Sequence, residues 1–319
     1  MKSKCLVWFL AISILGVTTV FSQDRVANPV VPQRKDNLSQ DVILVPVESS
    51  ELAPKALEAA GPFSINASFD ANITQQQRAV IQHAINEWVG IIRTSGVTPG
   101  NYPITFSNGA LTGDTLALTT TTFNKNNGDL ISAKMVFNNT KTFYVDPNPA
   151  DDVEFNSTPP AGFDLLSVAR HELGHALGWA DTKRVTPLIS GNVFDQPRLN
   201  IGVVGGAGGR HADPSIHAGD IMAPSISTSE RRSISLYPAA AMVARAFFYD
   251  ITMSFVDGAY TGGEAGSADA PWNTVREGAD LAPFGQLLLT PRTYDEAGPL
   301  ILSRPMTIRL ARGGPVIIR

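Results

Sequence analysis

The sequence predicts an α+β domain followed by a short tail of repeated strands, and three observations carry that expectation. Between about residues 61 and 255 the apolar periodicity switches between 2 and 3.6. The order is strand, helix, several strands, helix, irregular loop and helix, which is not a regular βαβ alternation. The second of those helices carries HELGH, residues 171–175, with two histidines one turn apart. From Val256 onward the texture changes to short apolar runs, QLLLT, PLILS, MTIRL and PVIIR, separated by Gly, Pro and Asp.

The chain opens with MKSKCLVWFLAISILGVTTVFSQ. Lys2 and Lys4 precede an apolar run from Cys5 to Phe21, and Val20-Phe21-Ser22 offers a cleavage pattern before Gln23. These features predict a secretory signal peptide over residues 1–22 rather than a membrane anchor. No later segment is apolar for long enough to span a bilayer, so the mature chain is expected to have no membrane span. Cys5 is the only cysteine and leaves with the signal, so the exported chain is expected to fold without disulfides, through an ordinary core. A cysteine-free exported chain points to a bacterial periplasm or external medium. Without Lys2 and Lys4 there are 23 basic and 29 acidic side chains, a net charge of about −6 with His neutral. That balance offers no footprint for nucleic acid.

Residues 23–60 hold scattered Pro, Ser and charge around one apolar patch, VILVPV, and read as a propeptide or extended linker. The ordered domain is expected to start at GPFSINASFD, where Phe63, Ile65, Ala67 and Phe69 alternate with small polar residues as in a half-buried strand. Thr74 then opens a helix with Val80, Ile81, Ala84, Ile85, Trp88 and Ile92 on one face. His83 and Glu87 lie four apart on that helix and read as a surface pair. YPITFSN, DTLALTTTTFN and SAKMVFNNTKTFYVD are β-branched and aromatic runs between Asn/Gly turns, which predicts strands. The acidic, proline-rich loop after them contains Asp146, Asp151, Asp152 and Glu154. Those carboxylates could bind calcium, although the spacing is not that of an EF-hand and a solvated loop is the plainer reading. A helix near PAAAMVARAFFYD closes the domain.

The helix bearing HELGH presents Leu165, Val168, Leu173, Ala176 and Leu177 as its apolar face. His171 and His175 project from one side, and two neutral imidazoles on a rigid helix suit zinc. Glu172 points about 100 degrees away around the axis. From there it can serve a water at the metal without becoming a ligand, as a general base should. Gly174 keeps the wall small, and Gly178 allows the chain to break sharply as the helix ends.

HExxH alone arises by accident in many proteins. HELGHALG followed some forty residues later by Asp-Ile-Met-Ala-Pro (220–224) resembles the metzincin metallopeptidases, over roughly residues 60–250. The resemblance implies a twisted mixed sheet over three main helices, zinc in a horizontal cleft, and Met222 in the family's Met-turn as a hydrophobic floor. It also implies an edge strand, expected within SAKMVFNNTKTFYVD, that pairs with an extended protein or peptide substrate. The third ligand departs from the common pattern, since Asp181 stands where a third histidine is usual. Snapalysin-type members use Asp there, whereas leishmanolysin-type members take a histidine from just before the Met-turn. His211, eleven residues before Met222, occupies the latter place and is the expected third ligand, with Asp181 as the alternative. His217 is closer to Met222 than that pattern suggests, and Asp213 and Asp220 read as turn or supporting residues. Pro224 stands where some members carry a tyrosine two after the methionine.

The expected activity is therefore a secreted zinc endopeptidase with Glu172 as general base. The alternative is a carbohydrate- or surface-binding adhesin with an idle or structural zinc site. Residues 256–319 resemble the opening of a right-handed parallel β-helix of the pectate-lyase-like kind, with room for one or two coils after a small helix at NTVREGADLA. A last coil with unpaired backbone groups would favour self-association.

Overall fold

The computed structural model describes residues 42–47, 63–94, 101–157, 159–196, 199–205, 210–217, 219–234, 240–247, 250–251, 253–268, 270–282, 286–303, 305–310 and 315–319. The expected signal peptide and most of residues 23–60 lie outside that set. The first half comprises β1 (Val42–Val47), β2 (Ser64–Phe69), α1 (Gln75–Ile91), β3 (Ile92–Thr94), β4 (Asn101–Gly109), β5 (Ala117–Asn124), β6 (Leu130–Asn138), β7 (Phe143–Tyr144), α2 (Val153–Ser157) and β8 (Phe163–Asp164). There follow α3 (Leu165–Ala176), β9 (Ile189–Ser190), β10 (Val193–Phe194), β11 (Ile201–Gly205), β12 (Arg210–Ala212) and α4 (Ala241–Phe247). The C-terminal part holds β13 (Asp250–Ile251), β14 (Ser254–Val256), α5 (Val275–Leu281), β15 (Gln286–Leu289), β16 (Thr293–Tyr294), β17 (Thr307–Leu310) and β18 (Ile317–Ile318). The chain is thus mixed α+β, with several sheets.

The main sheet has the order β1-β5-β6-β4-β2. β2, β4 and β6 are mutually parallel, β5 runs antiparallel to β6, and β1 runs parallel to β5. Tyr102, Ile104 and Phe106 of β4, Met135 and Phe137 of β6, and Phe123 of β5 bury alternate side chains, the period expected of strands with one face on a core. α1 begins where Thr74 and Gln77 cap each other reciprocally, Gln77 N–H to Thr74 Oγ1 at 3.2 Å and Thr74 N–H to Gln77 Oε1 at 2.9 Å. Its Val80, Ile81, Ala84, Ile85 and Trp88 are buried, and it packs against α3, which itself lies across β5 and β6.

Two placements in the sheet go beyond the sequence reading. β6, the first strand of SAKMVFNNTKTFYVD, lies between β4 and β5 and so is interior, not an edge. A tight turn through Asn124–Asp129 folds β5 back along β6, which places the threonine-rich strand between β6 and β1. VILVPV, read as part of a propeptide or linker, is β1 and occupies the outer side of β5 from Val42↔Thr119 to Val47↔Asn124. Its Val42 is buried and Leu44 packs on the core, whereas Ile43 and Val45 are exposed.

In the tail, β14, β15 and β17 form one parallel ladder and β16 and β18 another. Alternation splits the ladder between two cores. Val256, Leu287 and Leu289 join Trp272, Val275 and Tyr294 in a small cluster of their own. Phe255 and Leu288 point the other way, into the core of the main domain. Thr274 and Glu277 form a capping box at the start of α5. Among the described residues no helix is long and apolar enough to cross a membrane.

Candidate metal centre

α3 is fixed before any ligand is considered. Asp164 caps its first turn, accepting the Ser167 N–H at 3.0 Å. The Trp88 indole N–H of α1 donates to the Arg170 carbonyl at 3.0 Å, and the Tyr102 hydroxyl of β4 donates to the Ala176 carbonyl at 2.9 Å. Glu87 of α1 holds the buried Arg170 guanidinium through two hydrogen bonds of 2.7 and 2.6 Å, a bidentate pair that sets the rotation of α3 about its axis. His83 lies 3.7 Å from the same Glu87, as the i,i+4 surface pair expected.

On that helix His171 and His175 face His211 of β12, and one nitrogen from each ring lies within 4.8 Å of the others. The ring centroids are 4.7, 5.4 and 5.1 Å apart. His171 Nδ1 sits 2.7 Å from the Ile221 carbonyl oxygen, and His175 Nδ1 contacts the Trp179 carbonyl. A carbonyl only accepts, so each Nδ1 carries a proton, and a neutral ring then turns its Nε2 acceptor toward the other histidines. The two Nε2 atoms are 3.1 Å apart. Two ring nitrogens at that distance can share a cation. Tetrahedral zinc with Zn–N of about 2.05 Å would set its nitrogens about 3.3 Å apart. The donor set and its spacing therefore fit a zinc-like ion.

The floor of this centre is the turn through Ile221 and Met222. Met222 is fully buried, and its amide N–H donates to Asp220 Oδ1 at 2.8 Å. A Cβ on Gly174 would come within 2.3 Å of Met222 Sδ, so the close approach of turn and helix requires glycine there. Gly178 has φ +117° and lies against the Phe247 ring of α4, which combines a backbone need with a packing need. The Ala212 N–H donates to the Met222 carbonyl at 2.8 Å and so ties β12, and with it His211, to the same turn.

Glu172 is buried beside the imidazoles, at 2 % exposure. Thr119 of β5 donates its hydroxyl to Glu172 Oε2 at 2.6 Å. A cleft opens next to His171 and Glu172, walled mainly by apolar Leu116, Ala117, Val168, Ile221 and Ile226. Such a cleft suits an apolar side chain.

Asp181 is not among the gathered ligands. Arg210 Nε donates to Asp181 Oδ1 at 2.7 Å, and this pair fastens β12 to the segment after α3. His217 is equally occupied, its Nε2 accepting the Gly202 N–H at 3.1 Å. Asp213 accepts from Ser215, and Asp220 from Met222, as turn residues do. The acidic loop is gathered around Arg231, which pairs with Asp146, Asp152 and Asp164. Burial pulls that guanidinium's pKa down, but hydrogen bonds to Asp164, Asp146 and Asp152 outweigh it and hold the group above its ordinary value. Among the described residues the three histidines are the one group of three or more His, Cys, Asp or Glu that could hold a metal ion.

Thr119 and Arg210 escape sequence reasoning. Thr119 is one of a run of four threonines and carries no signal of its own, whereas Arg210 beside His211 could have been paired with Asp181 from opposite charge alone. No protein-family model matches the chain, and no curated protein matches it.

Proposed function

We propose that the protein is a zinc-dependent endopeptidase of the metzincin kind, exported by its host. The observation that carries this reading is the convergence of three imidazoles, two of them with fixed tautomers, beside a buried glutamate. His171, His175 and His211 would hold the zinc. When bound, it supplies Lewis acidity to water and to the peptide carbonyl.

The chain's own residues do the rest. β1 pairs along β5 from Thr119 to Asn124, and an extended substrate would align there by strand addition once β1 leaves. The apolar cleft receives a substrate side chain next to His171. Glu172 takes a proton from the water as its oxygen bonds to the carbonyl carbon. It returns that proton to the nitrogen as the C–N bond breaks, leaving a carboxylate and an amine. Tight burial of the carboxylate suits this role, because the group is held and shielded from bulk water. A purely structural zinc site would leave Glu172 without a purpose.

Hydrolysis of casein by the purified chain tests the reading. A strong chelator should abolish it, and stoichiometric zinc, but not calcium, should restore it. Hydrolysis indifferent to the chelator, or none with zinc bound, would defeat the proposal.

A further inference from the structure

We propose that Thr119 is the positioning residue for Glu172, its hydroxyl fixing the carboxylate in the orientation from which it works. The inference rests on the reading of Glu172 as general base. A glutamate side chain has three rotatable bonds, and ordering it costs up to about 2 kcal/mol of rotamer entropy. Something must therefore select one rotamer before the reaction begins. At 2 % exposure the carboxylate has little water to hydrogen-bond, so protein donors must satisfy it.

Thr119 is suited to that task. Its hydroxyl has one proton and two nearby acceptors, Glu172 Oε2 at 2.6 Å and the Glu172 carbonyl oxygen at 3.2 Å. The shorter contact, to the charged oxygen, is the stronger. Threonine is stiff at χ1, and its backbone is held on one side by β6 and on the other by β1, opposite Met135 and Val42 respectively. The donor is thus as rigid as the sheet.

Thr121, two residues on and facing the same way, supplies the contrast. Its hydroxyl is buried and has no hydrogen-bond partner among the described residues. Thr119 has a carboxylate instead. It also joins two parts of the site, because its backbone pairs with β1 while its side chain holds the base. One residue therefore sets the distance between the strand paired on that side of β5 and Glu172.

The test compares Thr119→Val, which keeps the shape and loses the hydroxyl, with Thr119→Ser and Thr121→Val in the zinc-loaded chain. Peptide hydrolysis, bound zinc and crystal structures are the readouts. Thr119→Val should lose about 10- to 100-fold in kcat, with KM and bound zinc within about twofold of wild type. Thr119→Ser should recover most of that loss, and Thr121→Val should behave as wild type. A Thr119→Val protein with wild-type kcat, alongside an inactive Glu172→Gln, would overturn the proposal. So would a Thr119→Ser protein as impaired as the valine variant, since the methyl group and not the hydroxyl would then matter. If the wild-type chain cleaves no peptide, the general-base reading fails separately and the crystal structures decide. A Glu172 carboxylate displaced in Thr119→Val supports its positioning by Thr119; one that stays in place overturns it.

Discussion

A neutral imidazole that donates its Nδ1 proton to a backbone carbonyl turns its Nε2 acceptor the other way, and two rings so oriented stand on α3. The carbonyls that do this, Ile221 and Trp179, belong to the turn beneath the helix and the chain leaving it. Local backbone geometry therefore fixes the ligand state. His211 and Asp181 differ in the same terms: the first faces the other two rings, and the second is held by Arg210. Zinc affinity should separate them. His211→Ala is expected to weaken binding by several orders of magnitude and Asp181→Ala by about 10- to 100-fold, through loosening of β12. Isothermal titration with zinc on the two variants checks this; comparable losses would mean that Asp181 reaches the ion. The pair of histidines and the glutamate were legible in HELGH because one helical turn fixes their directions. The Thr119 contact was not, because it joins residues 53 apart through the pairing of β5 with α3.

At the scale of the element, the decisive feature is the outer edge of β5. β1 covers that side over Thr119–Asn124, and its departure would leave an edge beside the cleft where a peptide can add as a strand. A chain beginning at Gly61 exposes that edge. If β1 leaves the edge free about a tenth of the time, KM for an extended peptide should fall about tenfold on its removal. Steady-state kinetics on both chains measures this, and an unchanged KM would place substrate elsewhere. Sequence periodicity identified β4, β5 and β6 as strands, and Thr74 identified the start of α1. It did not give their lateral order. Alternation tells which face of a strand is buried, whereas order depends on turn direction and on which strand ends up with a neighbour on both sides. The same limit hid β1, since six apolar residues in a polar stretch read equally well as linker.

At the scale of the whole molecule, the tail is joined to the main domain through side chains. Phe255 and Leu288 lie in the main core, whereas their neighbours Val256, Leu287 and Leu289 form the tail's own cluster. Cutting after Asp257 would remove Ala268 and Leu288 and uncover Phe255. Burying one such large side chain contributes about 1.5–3 kcal/mol, so the shortened protein should melt several degrees lower and tend to aggregate. A truncated chain with unchanged melting temperature would show that the tail contributes nothing to the main core. The sequence marked the change of texture at Val256, but alternate residues serving two cores were not legible without the pairing of β14 and β15. The central claim is that His171, His175 and His211 hold zinc while Glu172 moves the proton. The most direct measurement is zinc content and peptide hydrolysis in Glu172→Gln beside wild type. Both proteins should hold about one zinc per chain, with hydrolysis about 100-fold or more lower in the variant. A variant that keeps its activity, or that loses its zinc along with it, would contradict that division of roles.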